Sequence, residues 1–584
     1  MSANILSKLQ DLLGFIYPDV DSVDLSKRVV DCFFPESALL RETPRYPDVQ
    51  GYWTQDDLLL ITYGHSIIDG VHKPLDLLYD FLTRYLKDAF TGVHILPFFP
   101  FSSDEGFSVT DYTVVNSVIG DWADINRIAS EFKLMSDLVL NHVSSQGPWF
   151  SAYLQGQSPY DRYFVEGDPN DDLSDVVRPR TSPLLREVET ANGVKHVWCT
   201  FSHDQVDLDF KNPDVLLEFL RITKLHIENG VRVIRLDAVA FLWKEVGSDC
   251  IHLPETHAII QLLRVLLDYH QESVVLLTET NVPNKENLSY FGMRNEAHSI
   301  YNFSLPPLLV HALLTGTSEY LNQWQMSMPP APLGCAYLNF SASHDGIGMR
   351  PAEGLLPAGD IDLMLQTTKS FGGFINMRTM PDGSEKPYEL NITFYDMMKG
   401  SVGGDAYQFD RFICSQTIVL ALEGIPAIYI HALLATPNDT DGVRKSGVNR
   451  AINRHRWDYP TLRAHLADDR SVHVRAMTEL NRRCKIRRIQ NAFHPNATQF
   501  TMQLGDKIFG FWRQSLERDQ SIFAIHNISD EDVLMPARSL NLISGESWID
   551  LLSGDAIEPL GGEIHFRPYQ CRWITNTASE LDTP

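Results

Sequence analysis

Five short apolar runs in this chain each lead into polar residues of the types that break glycosidic bonds. GFSVTDY, on the loop after the run 93–100, carries Asp111 and Tyr112. DLVLNHV carries Asp137, Asn141 and His142, VIRLDAV carries Arg235 and Asp237, LLTETN carries Glu279, and NFSASHD carries His344 and Asp345. A single Asp at a strand end is usually a turn former or helix cap, and a single His a hydrogen-bonded core residue; Asp137, early in its run, reads as structural. Together they point further. Arg235 and Asp237 are two apart, so on a strand they face the same side. A guanidinium there is expected to lower the Asp237 pKa and keep the carboxylate ionised, as a nucleophile requires. Glu279 follows VVLLT, an apolar setting expected to raise its pKa and let it hold an acid's proton. Two carboxyls in unlike environments are the logic of glycoside cleavage, with retention of configuration if they lie about 5–5.5 Å apart.

For these groups to meet, the runs that carry them must form one sheet with one common rim. LLLITYG (58–64), VHILPFFP (93–100), LMSDLVLNHV (134–143), VRVIRLDAV (231–239), SVVLLTETN (273–281) and YLNFSASHD (337–345) read as buried strands. Helical spacing intervenes: Leu75, Leu78, Leu82, Tyr85, Leu86 and Ala89, then a helix near Asp124–Glu131, one from Asn212-Pro213 to a stop at Gly230, and one near 255–269. Repeated strand–helix units predict an α/β fold, a (β/α)₈ barrel with catalytic groups at the C-terminal mouth. We divide the chain into a helical N-terminal extension (1–50), the barrel (51–145 and 208–492), an inserted subdomain without clear helix (146–207) and a C-terminal antiparallel β-sandwich (493–584). Long connections at 355–410 and 432–450 read as acceptor loops.

Bulk composition excludes several classes. The 584 residues are 44% hydrophobic and 21% charged, with a formal net charge of −26. That charge repels nucleic acid and anionic membranes, so neither is an expected partner. The seven cysteines are scattered without a CxxC pair, which argues against a disulfide framework or zinc site and fits a reducing compartment. The start MSANILSKLQDLLGFIY is amphipathic without signal-peptide features, and no apolar run reaches membrane-spanning length. The expected location is cytoplasmic. The acid-rich DPNDDLSD (168–175) lacks the glycine and glutamate of an EF-hand loop; no metal and no cofactor are expected. Oligomeric state is left open, a homodimer included.

DLVLNHVSS, VRVIRLDAVAF, LLTETNVP and FSASHDGIG resemble, in order, the four signature regions of the α-amylase superfamily. LPFFPFSSDEGFSVTDY, NEAHSIYNFSLPPLLVHAL, HDGIGMRPAEGLLP and NRAINRH resemble, more specifically, its sucrose phosphorylase group. The resemblance covers roughly residues 55–490. It implies Asp237 as nucleophile, Glu279 as acid/base and Asp345 as transition-state stabiliser. It implies sugar-site roles for His142, His344, Arg235, Asp111, Tyr112, Phe201 and Gln205. Two departures concern the acceptor: Asn281 stands where sucrose phosphorylases of the best-known type carry a His, and the acceptor loop reads PYELN, with Tyr388 and Glu389, rather than LYQVN.

The activity implied is phosphorolysis through a covalent glucosyl-enzyme, with a small α-glucoside and inorganic phosphate as partners. Phosphate must then outcompete water, which calls for local cations. Arg378, Arg444 and Lys445 on the variable loops are candidates, with Tyr388 and His431 as neutral donors. Glu389 would repel an anionic acceptor unless neutralised. On that ground, and because the overall acidity suits a salt-adapted host in which glucosylglycerol would serve as an osmolyte, glucosylglycerol ranks first as substrate, then glucosylglycerate, then sucrose, with sucrose 6′-phosphate a further alternative. A hydrolase or transglucosidase with the same triad, a calcium-dependent amylase, and a non-catalytic member of the superfamily are the competing readings.

Overall fold

Nearly continuous burial of VRVIRLD is the mark of a strand covered on both faces, and the computed structural model places it in a closed parallel barrel. Residues 3–36, 39–45, 51–380, 382–400, 405–540, 542–543, 547–558 and 562–576 are described. The barrel strands are β1 (Leu59–Thr62), β2 (Gly92–Ile95), β3 (Lys133–Val139), β4 (Val231–Asp237), β5 (Val275–Thr278), β6 (Ser299–Tyr301), β7 (Ala336–Asn339) and β8 (Ile425–Tyr429). Each lies beside its successor and β8 closes on β1, every pairing parallel. The six strands expected from apolar runs are present. β6 and β8 were not expected: the first is three residues long, and the second holds Pro426, a residue that argues against an interior strand.

The helices between strands are set by local signals. α3 (Pro213–Glu228) begins where the Asn212 side chain accepts the Asp214 N–H, with proline at the first turn. It ends at Gly230, whose φ of +87° and a neighbouring Ala129 that a Cβ would meet at 2.7 Å leave no room for another residue. α4 (Pro254–Asp268) follows β4. Before the barrel, α1 (Ala3–Ile16) and α2 (Ser22–Phe33) pair with each other and pack on α4 and α3 respectively. The end of the N-terminal extension, 46–50, lies outside the described residues.

The interval 146–207 contains more regular structure than its composition suggests: a helix, Pro148–Leu154, and a hairpin pairing Leu185–Thr190 with Gly193–Trp198. The connection after β7 likewise holds a helix, Ala358–Ser370, and a three-stranded antiparallel sheet in which Glu385–Asn391 lies between Ile347–Gly348 and Phe374–Thr379. That sheet carries PYELN against the barrel mouth. Beyond the barrel, a six-stranded antiparallel sheet and a two-stranded ribbon enclose a second apolar core that includes Phe523, Trp548 and Phe566. No helix among the described residues is long and apolar enough to cross a membrane.

Candidate active site

β4 and β5 are in register, with Leu277 opposite Arg235 and Thr278 opposite Leu236. Asp237 ends β4 and Glu279 follows β5, so the two sit side by side on neighbouring strands, about 4.7–4.9 Å apart at the backbone. The next residue, Ala238, has a left-handed backbone (φ 50°, ψ 29°). That conformation costs an alanine roughly 1–2 kcal/mol. It aims the Ala238 N–H at Glu279 Oε2, 3.0 Å away. Asp345 arrives from the loop after β7, and His142 from the residues after β3. All four side chains line one cavity, shared with Phe107, Phe201, Gln205, His344, Tyr388 and Glu389.

Arg235 is the electrostatic centre of the inner wall. Its Nη1 bonds Asp237 Oδ1 at 2.8 Å and also contacts Asp137, while Nη2 lies 4.0 Å from Glu279 Oε2. Burial pushes the Asp237 carboxyl well above the usual carboxylate range, with Arg235 opposing and Glu279 adding to the rise. The expectation that Arg235 would hold this group low is therefore corrected: desolvation outweighs one guanidinium already shared with Asp137. Burial likewise raises Glu279, against Arg235 and the Ala238 N–H.

Asp345 is the opposite case. Burial pushes it up, but the guanidinium groups of Arg450 at 2.8 Å and Arg454 at 3.5 Å hold it far below the ordinary range. The same two arginines reach Asp104, at 3.6 Å and 3.3 Å, and hold its carboxyl down too. Arg450 also clamps Glu389 with two nitrogens, Nε at 3.0 Å and Nη2 closer. So the Glu389 charge, which was expected to repel anionic acceptors, is neutralised within the structure. Burial pulls His344 to about 3, leaving a neutral ring that stacks on Phe107 with centroids 4.9 Å apart and an interplanar angle of 4°. His142, also lowered by burial, donates through Nε2 to the Phe107 carbonyl at 3.0 Å, with the Gln205 amide 3.1 Å from the same nitrogen.

The structure separates the remaining expected residues from this cavity. Asp111 accepts the N–H and hydroxyl of Thr113 in a turn outside it, at 2.8 and 2.6 Å. Tyr112 is buried behind the wall, its hydroxyl donating to the carbonyls of Val139 (2.5 Å) and His142 (3.2 Å); it supports the His142 segment rather than lining the pocket. Arg378 is spent on Glu353 at 2.7 Å. His431 is buried against Thr436 Oγ1, 3.2 Å away. Arg444 and Lys445 lie exposed on the helix Thr440–Ser446, Arg444 paired with Asp441 at 2.5 Å.

Four charged residues at the site were not anticipated: Asp104, Arg180, Arg450 and Arg454. Arg180 lines the cavity, with its guanidinium over the rings of Tyr388 (5.1 Å) and Phe201 (5.5 Å). Its one described hydrogen bond goes to its neighbour's carbonyl, Pro179, and it makes no ion pair among the described residues. The NRAINRH segment held the signal for Arg450 and Arg454, two arginines four apart; nothing in 146–207 set Arg180 apart from Arg178 or Arg186. No group of three or more His, Cys, Asp or Glu among the described residues is arranged to hold a metal.

Comparison with known proteins agrees with this architecture. The α-amylase catalytic domain profile matches residues 81–329. A glucosylglycerate phosphorylase from Spirochaeta thermophila is 41% identical over 581 residues, covering 98% of both chains. A glucosylglycerol phosphorylase from Marinobacter adhaerens is 31% identical, over 66% of this chain and 80% of its own. Among solved structures, sucrose 6F-phosphate phosphorylase from Thermoanaerobacter thermosaccharolyticum superposes with a TM-score of 0.71 at 24% identity, covering 88% of this chain and 98% of its own.

Proposed function

The chain belongs to the α-amylase family and is one of its glycoside phosphorylases acting on α-glucosides; from that premise we propose that its substrate is glucosylglycerate, cleaved by phosphate to α-glucose 1-phosphate and glycerate. The carrying observation is Arg180, the cavity-lining cation with no carboxylate partner among the described residues, where Arg235 and Arg450 are each committed to several. Such a cation favours an anionic aglycone, and the next anion to occupy the same space is phosphate. Glu389, which argued for a neutral polyol, is cancelled by Arg450. Full-length likeness to a glucosylglycerate phosphorylase supports the same order, glucosylglycerate ahead of glucosylglycerol.

Asp237 attacks the anomeric carbon, guided by Arg235. Glu279 protonates the departing glycerate oxygen, then as a base accepts the proton of the incoming phosphate. Neighbouring strand ends bring both carboxyls to one cavity, the arrangement from which a retaining pair works when its carboxyls lie about 5–5.5 Å apart. Within the pair the guanidinium contact favours charge on Asp237 and the proton on Glu279, which lies at 4.0 Å from Arg235. Asp345, ionised and fixed by Arg450, stabilises the oxocarbenium-like charge. Arg180 holds first the glycerate carboxylate and then phosphate, which enters in preference to water.

The test offers glucosylglycerate, glucosylglycerol, sucrose and sucrose 6′-phosphate with and without phosphate, reading glucose 1-phosphate and free glucose. Glucosylglycerate should give the highest kcat/KM, with glucose 1-phosphate as product. A preference for glucosylglycerol would overturn the substrate, and free glucose at equal rate without phosphate would restore the hydrolase reading.

A further inference from the structure

His94 stands behind the catalytic rim. It lies on β2, opposite Ile61 of β1 and Met135 of β3, with 1% of its surface exposed. Its Nε2 is 2.6 Å from Asp137 Oδ2, and the Asp137 side chain is fully buried. An ionised carboxylate only accepts, so Nε2 carries the hydrogen; Nδ1 has no hydrogen-bond partner among the described residues. The other Asp137 oxygen takes Arg235 Nη1, and that same nitrogen reaches Asp237 at 2.8 Å. A buried row thus runs from the barrel wall to the cavity: imidazole, carboxylate, guanidinium, carboxylate.

Its weak point is that two carboxylates draw on one guanidinium nitrogen. Whatever satisfies Asp137 from the far side relaxes its claim on Arg235. His94 is the group that does so.

Other groups near this row supply no substitute. His226 on α3 bonds Ser136 at 3.0 Å, and burial drives it to about 4. His344, after β7, is neutral for the same reason. Tyr301 of β6 lies under the Arg235 guanidinium at 5.6 Å, and Glu279 competes for that cation from 4.0 Å. Tyr63, past the end of β1, is directed to Arg454 and His344 instead.

We infer that His94 is a positioning residue for glucosyl transfer: by donating to Asp137 it leaves the Arg235 guanidinium on Asp237, where that cation opposes the cost of burying a charge and aims the carboxylate at the anomeric carbon. This rests on Asp237 being the nucleophile. Without the imidazole, Asp137 draws Arg235 to itself, Asp237 loses its cation, and its pKa rises.

The experiment is the pH profile of kcat/KM for α-glucosyl fluoride, a donor whose leaving group needs little protonation, with phosphate as acceptor. Its acidic limb reports the group that must be ionised in the free enzyme. H94L should move that limb up by about one pH unit or more, with kcat falling more than KM changes. H94Q places an amide nitrogen where Nε2 stood and should return the limb toward the wild-type position. An unmoved limb in folded H94L overturns the inference, as does an H94Q limb displaced as far as that of H94L. If H94L does not fold, H94N, whose amide falls short of Asp137, serves in its place with the same outcomes. D237N is measured in parallel. Persisting turnover there removes the nucleophile itself, whereas lost turnover with an unmoved H94L limb removes the role of His94 alone.

Discussion

Replacing Arg180 by alanine should separate acceptors by charge. The guanidinium lies over Tyr388 and Phe201 at 5.1 and 5.5 Å, held in place by the rings and bonded otherwise to one backbone carbonyl. A charge-assisted hydrogen bond is worth about 1.5–3 kcal/mol, and partial exposure of Arg180 argues for the lower half of that range. At 1.4 kcal/mol per decade the loss is about 10- to 50-fold in kcat/KM for glycerate. Glycerol, neutral and smaller, should lose no more than about 3-fold, the scale of a weak contact. With α-glucosyl fluoride as donor, only the second half-reaction depends on the acceptor, so initial rates at varied glycerate, phosphate or glycerol isolate this term. Phosphate should suffer as glycerate does, and free glucose should rise as water takes the intermediate. R180K keeps the charge without the planar fork and should fall between. Equal losses for glycerate and glycerol would refute the reasoning, because a guanidinium that only props the pocket open cannot tell them apart.

Three other outcomes follow from the described contacts. E279Q should lower kcat/KM about 10²- to 10⁴-fold on glucosylglycerate, the range of general-acid catalysis, and far less on α-glucosyl fluoride; equal losses on both would remove the acid role. R450Q leaves Asp345, Asp104 and Glu389 short of their shared cation. Breaking a buried pair costs about 3–5 kcal/mol, so the thermal midpoint should drop along with turnover, and an unchanged midpoint would contradict the clamp. Glu105, bonded to His65 at 3.0 Å and Arg456 at 3.0 Å, is lowered from the usual 4.5 to about 2 against the cost of burial. A depressed folded-state pKa stabilises above the unfolded value and is lost as pH falls through the folded one. Acid unfolding of E105Q should therefore be flatter than wild type between pH 4.5 and 2, and parallel curves would discard the assignment.

Strand-end residues were legible because a parallel barrel converts sequence position into spatial position: an acidic residue following an apolar run arrives at the rim whatever happens elsewhere. Asp237, Glu279 and Asp345 needed no more than that. Residues that reach the cavity from remote loops carry no such signal. Arg180 comes from the inserted subdomain and Arg450 from a short turn of helix, Asn449–Asn453, and neither has a periodicity to mark its direction. Arg444 and Lys445 looked equally available, and face solvent because the helix that bears them turns them outward. In the first loop the error was a displacement of seven residues: Asp111 occupies a turn, and Asp104, in SSDEGF, lies at the cavity. The missed strands β6 and β8 are short or interrupted by proline, and only the closure of the barrel specifies them.

Arg450 joins a barrel loop to the three-stranded sheet at the mouth, since one side chain holds both Asp345 and Glu389. If that sheet sets aglycone preference, as proposed above, preference and reaction chemistry are not separable modules. A hairpin transplanted from a relative to change what the enzyme accepts would bring its own residue to position 389. Unless that residue were acidic, Arg450 would keep its hold on Asp345 with one counter-charge fewer, and the potential at the anomeric carbon would become more positive just where cationic character must develop. Redesign of this entrance therefore has to treat Glu389, Arg450 and Asp345 as a single inheritable unit.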